Sequence, residues 1–331
     1  MKIASRIIVA SVIALTVTLT TGTPAFAQDK NITQPTPELE QMLRNEPMHI
    51  VSAEISRPKA KGDITLKAEV AFSDRPPMRV KLRKAEPGAD TFNNVPRYDL
   101  AAYELQKLLM DEAGYVVPPT ALRMVPLADL RELTSTVEPA PVFKPTFKGA
   151  DEVLCVVQYW LQDVKVPVDV LDAALVASDP VYARHIGELN VFTYLIEHRD
   201  SNLGNFIMSA APEGARVFSV DNGIAFASEA SDRGEAWKSM RVKRLPADTV
   251  DRLRGLTRDA LTLHLAVLAE WELKGGHYVA VPLTANLSAN SGVRRKDTTV
   301  QMGLTRNEIA GVWDRSRRLL KMIDAGDIAT W

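Results

Sequence analysis

Three β-rich runs, at residues 48 to 56, 63 to 72 and 77 to 83, follow one another before any helical periodicity begins. Turn-forming residues separate them, with Ala60-Lys61-Gly62-Asp63 as the first turn, so they read as consecutive antiparallel strands. Helical spacing then appears over residues 96 to 112 through Ala101, Leu105 and Leu108, with Gly114 as a stop signal. Two more strands are expected at 120 to 126 and 153 to 161, the second strongly apolar, flanking a Pro- and charge-rich loop. Beyond residue 161 the pattern turns helical, most clearly at 248 to 274 and 305 to 325, and the polar stretch 284 to 303 reads as a mobile loop. Strands first and helices afterwards is an α+β arrangement: a small antiparallel β lobe at 47 to 160 and a larger helical lobe at 161 to 331.

The residues before the first strand read differently. Lys2 and Arg6 form a positive start, an apolar run follows from Ile7 to Leu19, and Ala25-Phe26-Ala27 is a small-residue cleavage site. Together they predict a signal peptide at 1 to 27, cut after Ala27, and a periplasmic or secreted protein. The apolar run is short and interrupted, so no stable membrane span is expected after cleavage. Residues 28 to 46 are polar, hold Pro35 and Pro37, and read as a linker. Cys155 is the one cysteine, which excludes an internal disulfide framework and leaves stability to a sizeable apolar core. A formal net charge of −1 gives no signal for nucleic acid. His49, His185, His198, His264 and His277 are too scattered for a zinc motif.

The segment that carries chemistry is His198-Arg199-Asp200-Ser201-Asn202-Leu203-Gly204-Asn205, with Asp221-Asn222-Gly223 sixteen residues later. It fits the H-R-D-x-x-x-x-N pattern of a phosphoryl-transfer loop followed by a metal-binding acid. Leu189, Phe192 and Ile196 put an apolar face on the preceding helix. A hairpin from Phe206 to Val220, turning at Pro212 and Gly214, returns the chain to its start and sets Asp221 beside Asn205. Those two side chains are the expected ligands of a divalent cation, Mg²⁺ or Mn²⁺, that grips the phosphates of ATP or another nucleotide. Asp200 is the expected catalytic carboxylate. A cation on the third strand is also required; Lys81 is the first choice and Arg83, on the same face, the second. Two acids on the following helix compete to orient it, Asp99 and Glu104.

These segments resemble a group of atypical kinase-like proteins related to the phosphatidylinositol 3/4-kinases and to secretory-pathway kinases of the Golgi casein kinase type. The resemblance is carried by Arg97 to Leu105 with Val117-Pro118-Pro119-Thr120, by Gln158-Tyr159-Trp160, and by Asn190 to Phe226. It implies a bilobal protein-kinase-like fold and favours Asp99 over Glu104, although Asp99 is shorter than the family's usual Glu. No glycine-rich loop precedes Lys81, and D-N-G stands where D-F-G is common. The expected activity is phosphoryl transfer to a hydroxyl acceptor that is a protein, a lipid head group or a small molecule. The alternative is a catalytically silent pseudokinase that binds a partner. Nucleotidyl transfer on the same scaffold is a third reading.

Overall fold

The computed structural model describes residues 30–56, 64–73, 75–90, 93–136, 141–211 and 213–331. The expected signal peptide and the turn at 60 to 63 lie outside the described residues. The fold is mixed α+β, with eight α-helices among the described residues and sheets that are antiparallel except for one short parallel pair. No described helix is long and apolar enough to cross a membrane.

The expected linker is corrected first. Residues Thr36–Asn45 form helix α1, and Leu39, Met42 and Leu43 on it are completely buried. Those three apolar positions make one narrow stripe on a helix too short to stand alone, so its stability comes from the sheet it covers. That sheet comprises β1 (Met48–Ile55), β2 (Thr65–Phe72), β3 (Met78–Lys84), β4 (Thr120–Pro126) and β5 (Glu152–Tyr159), in the order β1-β2-β3-β5-β4. Leu66, Ala68, Val70, Val80, Leu82 and Val157 join the α1 residues in one apolar core. The opposite face carries Lys67, Lys81, Arg83 and Gln158. Strand β5 lies between β3 and β4 and is buried along its whole length, which explains its apolar run from Val153 to Val157.

Helix α2 (Pro96–Gln106) connects β3 to β4 and ends earlier than its periodicity predicts. Gln106 stops it: its buried amide accepts from the backbone N–H groups of Val116 and Val117 at 2.9 and 2.8 Å and donates to the Val117 carbonyl at 3.0 Å. The loop expected at 127 to 150 begins with a short helix, α3 (Leu127–Leu133).

After β5 come β6 (Val164–Lys165), α4 (Ala173–Ser178), α5 (Pro180–Leu195), β7 (Phe206–Ser209) and β8 (Val217–Ser219), with the strands in the order β6-β7-β8. Then follow β9 (Arg244–Leu245), α6 (Ala247–Gly255) and α7 (Arg258–Leu265). The remainder is β10 (Ala269–Lys274), β11 (His277–Ala280), β12 (Val293–Lys296), β13 (Thr299–Met302), α8 (Arg306–Asp324) and β14 (Ala329–Thr330).

The carboxy-terminal region is therefore not helical throughout. Strands β10 to β13 form a second antiparallel sheet, in the order β11-β10-β13-β12, where a helix end and a mobile loop were expected. Gly275-Gly276, both at positive φ, make the two-residue turn that pairs Lys274 with His277. Arg294 is buried and ties the sheet down, donating to the carbonyls of Ser291, Ala266 and Leu304 at 2.8, 2.5 and 2.9 Å. A second apolar core joins Leu122, Leu154 and Val156 of the five-stranded sheet to α2, α5, α8 and to Trp271, Val300 and Met302 of the second sheet.

Candidate active site

Helix α5 delivers the candidate segment at 198–205. Its end is held by Arg315 of α8, whose Nε donates to the Leu195 carbonyl at 2.8 Å while Nη1 meets Glu197 at 3.0 Å. His198 is fully buried, and that burial lowers its pKa to about 4 against the pull of Asp200 and Asp221. The neutral ring therefore accepts at Nδ1 from the Asp200 backbone N–H, at 3.3 Å.

Asp200 itself is 1% exposed. Its Oδ1 accepts from Asn202 Nδ2 at 2.9 Å, and its Oδ2 accepts from Asn205 Nδ2 at 2.9 Å and from Arg233 Nη2. Asn205 Nδ2 also donates to the Asp200 carbonyl at 2.7 Å. Both groups facing that nitrogen are pure acceptors, so the amide orientation is forced and the Asn205 carbonyl oxygen turns away from Asp200.

The β7–β8 hairpin closes as the sequence predicts. The Val220 N–H donates to the Asn205 carbonyl at 2.9 Å, so the residue after Val220 emerges beside Asn205. That residue is Asp221, held at φ +67°, a left-handed conformation that Asp tolerates better than most side chains. Asn222 is fixed at both ends: its N–H donates to Asp99 Oδ1 at 3.0 Å, and its Oδ1 accepts from Ser219 Oγ at 2.7 Å. Gly223 is required by close approach. A Cβ there would lie 1.8 Å from Asn94 Oδ1 and 2.9 Å from Arg83 Nη2.

Strand β3 supplies two cations from above. Lys81 Nζ lies 3.3 Å from Asp221 Oδ1. Arg83, two residues on, pairs with Asp99 and donates to the Asn94 carbonyl at 3.1 Å. Complete burial pushes the Asp99 carboxyl upward, against the pull of Arg83 and Lys81. The expected partnership is thereby rearranged: Asp99 grips Arg83, the second-choice cation, while Lys81 meets the metal-side acid. Glu104 faces α1 instead, where it accepts from Arg44 at 3.0 Å.

Oxygen-only ligands suit Mg²⁺ or Mn²⁺, and the Asn205 side-chain oxygen, turned away from Asp200, and the Asp221 carboxylate are donors of that kind. Lys81 is the natural counter-ion of the phosphates it would carry. Cys155 has no place in this chemistry: buried in β5, its thiol is pushed up to about 12.

Sequence reasoning missed Arg233, Asn202, Ser219 and Asn94. Asn202 lies inside the motif and its spacing to Asp200 was visible. Arg233 carries no local signal, because only the fold returns the segment after Phe226 to Asp200. No protein-family model matches this chain, and no curated protein matches it at a significant level.

Proposed function

We propose that the protein is a kinase-like phosphotransferase with a bilobal arrangement, which uses a metal-bound nucleoside triphosphate to modify a hydroxyl acceptor. One observation carries the reading: Asp200, Asn205 and Asp221 converge under Lys81, with the 3.3 Å Lys81–Asp221 contact joining the five-stranded sheet to the catalytic segment. The order β1-β2-β3-β5-β4, with α2 between β3 and β4, also supports it.

When bound, the divalent cation neutralises charge on the donor phosphates. Asn205 and Asp221 would hold it, and Lys81 would turn from Asp221 to the phosphate oxygens. Arg83 and Asp99 fix the backbone of Asn222, and so the direction of Asp221. The acceptor oxygen bonds to the terminal phosphorus as the bond to the bridging oxygen breaks. That electron pair leaves with the diphosphate, and the acceptor proton passes to Asp200. Arg233 covers Asp200, so an acceptor hydroxyl displaces its guanidinium.

The same Arg233 contact favours a second reading, a silent binding module whose carboxylate is permanently occupied. A thermal-shift titration separates the two. A nucleotide-dependent rise in Tm that needs Mg²⁺ or Mn²⁺ and vanishes in Asp221→Ala supports the donor site. A folded protein that responds to no nucleotide with either metal refutes it and leaves the silent module.

A further inference from the structure

Helix α4 leaves its apolar residues uncovered. Five of the six residues in its sequence Ala-Ala-Leu-Val-Ala-Ser are apolar, and none is buried. A helix with apolar side chains on every side belongs in an interior. Here Val176 stays 37% exposed, and Trp331 is 43% exposed. Both line a groove of about 440 Å³, together with Leu171, Ala183 and Ile186. Asp200, Asn205 and Asp221 do not line it.

The charge in this groove has one sign. The charged residues that line it are Arg241, Lys243 and Arg244, all exposed. Among the described residues none of the three is in an ion pair; Arg241 lies over the Trp237 ring, 5.4 Å from its centroid. The carboxylates of the α4–α5 region and of α6 are engaged elsewhere. Asp172 accepts from the N–H groups of Ala174 and Leu175, and Asp179 from those of Val181, Tyr182 and Gly214. Asp248 pairs with Arg184, and the main-chain carboxyl group of Trp331 accepts from the Ala247 N–H at 2.8 Å.

Apolar walls with a few polar groups of one kind, in a volume of about 300–1,000 Å³, are the marks of a small-molecule site. Apolar lining beside cations of one sign suits an amphiphile with an anionic head. The surface is concave, which suits a chain lying in the groove and not a flat membrane. A peptide strand finds the nearby edge taken: β9 pairs with β14, and the Trp331 N–H donates to the Leu245 carbonyl at 3.1 Å. We infer that this groove binds a free long-chain acyl carboxylate, its chain against Val176 and Trp331 and its head at Arg241, Lys243 and Arg244. Such a site is independent of phosphoryl transfer.

The test uses calorimetry and tryptophan emission on the full chain, with dodecanoate, hexanoate and dodecyltrimethylammonium below their micelle-forming concentrations. Each buried methylene is worth about fourfold in affinity, so hexanoate should bind at least about a hundredfold more weakly than dodecanoate. Dodecyltrimethylammonium, with the opposite charge, should bind at least about tenfold more weakly. The double variant Lys243→Glu/Arg244→Glu should reverse that preference, and its Tm should stay near the wild-type value because both side chains are exposed. Val176→Asp puts a charge on the apolar wall and should weaken dodecanoate by about tenfold or more; Val176→Ser serves if the Asp variant folds poorly. Trp331→Phe should remove most of the emission change while calorimetry still registers binding. Equal affinity for the two dodecyl amphiphiles overturns the assignment. So does unchanged dodecanoate affinity in a folded Val176 variant. Binding confined to vesicles of anionic phospholipid overturns it in favour of a membrane surface, and a folded wild type that takes up no dodecanoate overturns it outright.

Discussion

Lys81 and Arg83 sit two residues apart on one face of one strand, yet their ion pairs live in different surroundings. The Arg83–Asp99 side chains are 2% and 1% exposed, while Lys81 and Asp221 are each 15% exposed. A buried pair cannot exchange partners without stranding a charge, so Arg83–Asp99 is a permanent fastener between β3, α2 and the D-N-G turn. The Lys81–Asp221 pair is less completely enclosed, so it opens at a smaller cost than Arg83–Asp99. Chemistry that requires a lysine to leave a carboxylate for a phosphate needs the second kind. Orientation of the loop carrying that carboxylate needs the first.

The sharpest way to break this comparison is to remove each cation in turn. Arg83→Met strands Asp99 and is expected to cost about 3–5 kcal/mol in denaturant unfolding. Lys81→Met should cost less than Arg83→Met while abolishing the metal-nucleotide thermal shift. Equal losses in the two variants would show that the pairs do the same job.

An intermediate effect tests how dry the interior beneath the site is. His198 and His185 are buried, and burial lowers them from 6.5 to about 4 and about 3. Below pH 6.5 the unfolded chain takes up protons on these residues that the folded chain does not, so stability falls as pH falls. The window runs from pH 6.5 down to about 4 for His198 and about 3 for His185. Each contributes a slope of up to about 1.4 kcal/mol per pH unit there. Between pH 6 and pH 4.5, His198→Gln should therefore lose about one proton from the slope of unfolding free energy, whatever its absolute stability. An unchanged slope would mean that His198 is protonated in the fold.

The smallest expected effect on stability lies at the open edge of the site. Arg233 is 48% exposed where it meets Asp200. Arg233→Ala should cost less than either β3 variant, because Asp200 keeps the amides of Asn202 and Asn205 as partners. Its readout is kinetic: uncovering Asp200 should raise the slow transfer of the donor phosphoryl group to water. A fall in that rate would assign Arg233 to the reacting phosphate instead of to a cover.

The legible parts of the fold are those with local causes. Alternating residues placed β2 and β3 within a residue or two, and apolar spacing placed α8. The hairpin between Asn205 and Asp221 closes by short-range pairing, so the two metal-side residues were visible as neighbours. Helix α1 was not, because its three buried apolar residues acquire meaning only against a sheet formed later in the chain. Strands β12 and β13 were hidden by charge: Arg294 reads as exposed until the carbonyls of Ala266 and Leu304 are brought to it.

Local order along the chain thus determined the early antiparallel strands, the β7–β8 hairpin and the grouping of Asp200, Asn205 and Asp221 around it. Tertiary structure alone decided which acid serves which cation. Lys81 and Arg83 share a face, and Asp99 and Glu104 share a helix, so residue type leaves the pairings open. Burial resolves them. The site beside α2 from which water is excluded goes to the pair with the guanidinium, whose planar fork satisfies both Asp99 and the Asn94 carbonyl. The wetter position is left to the lysine.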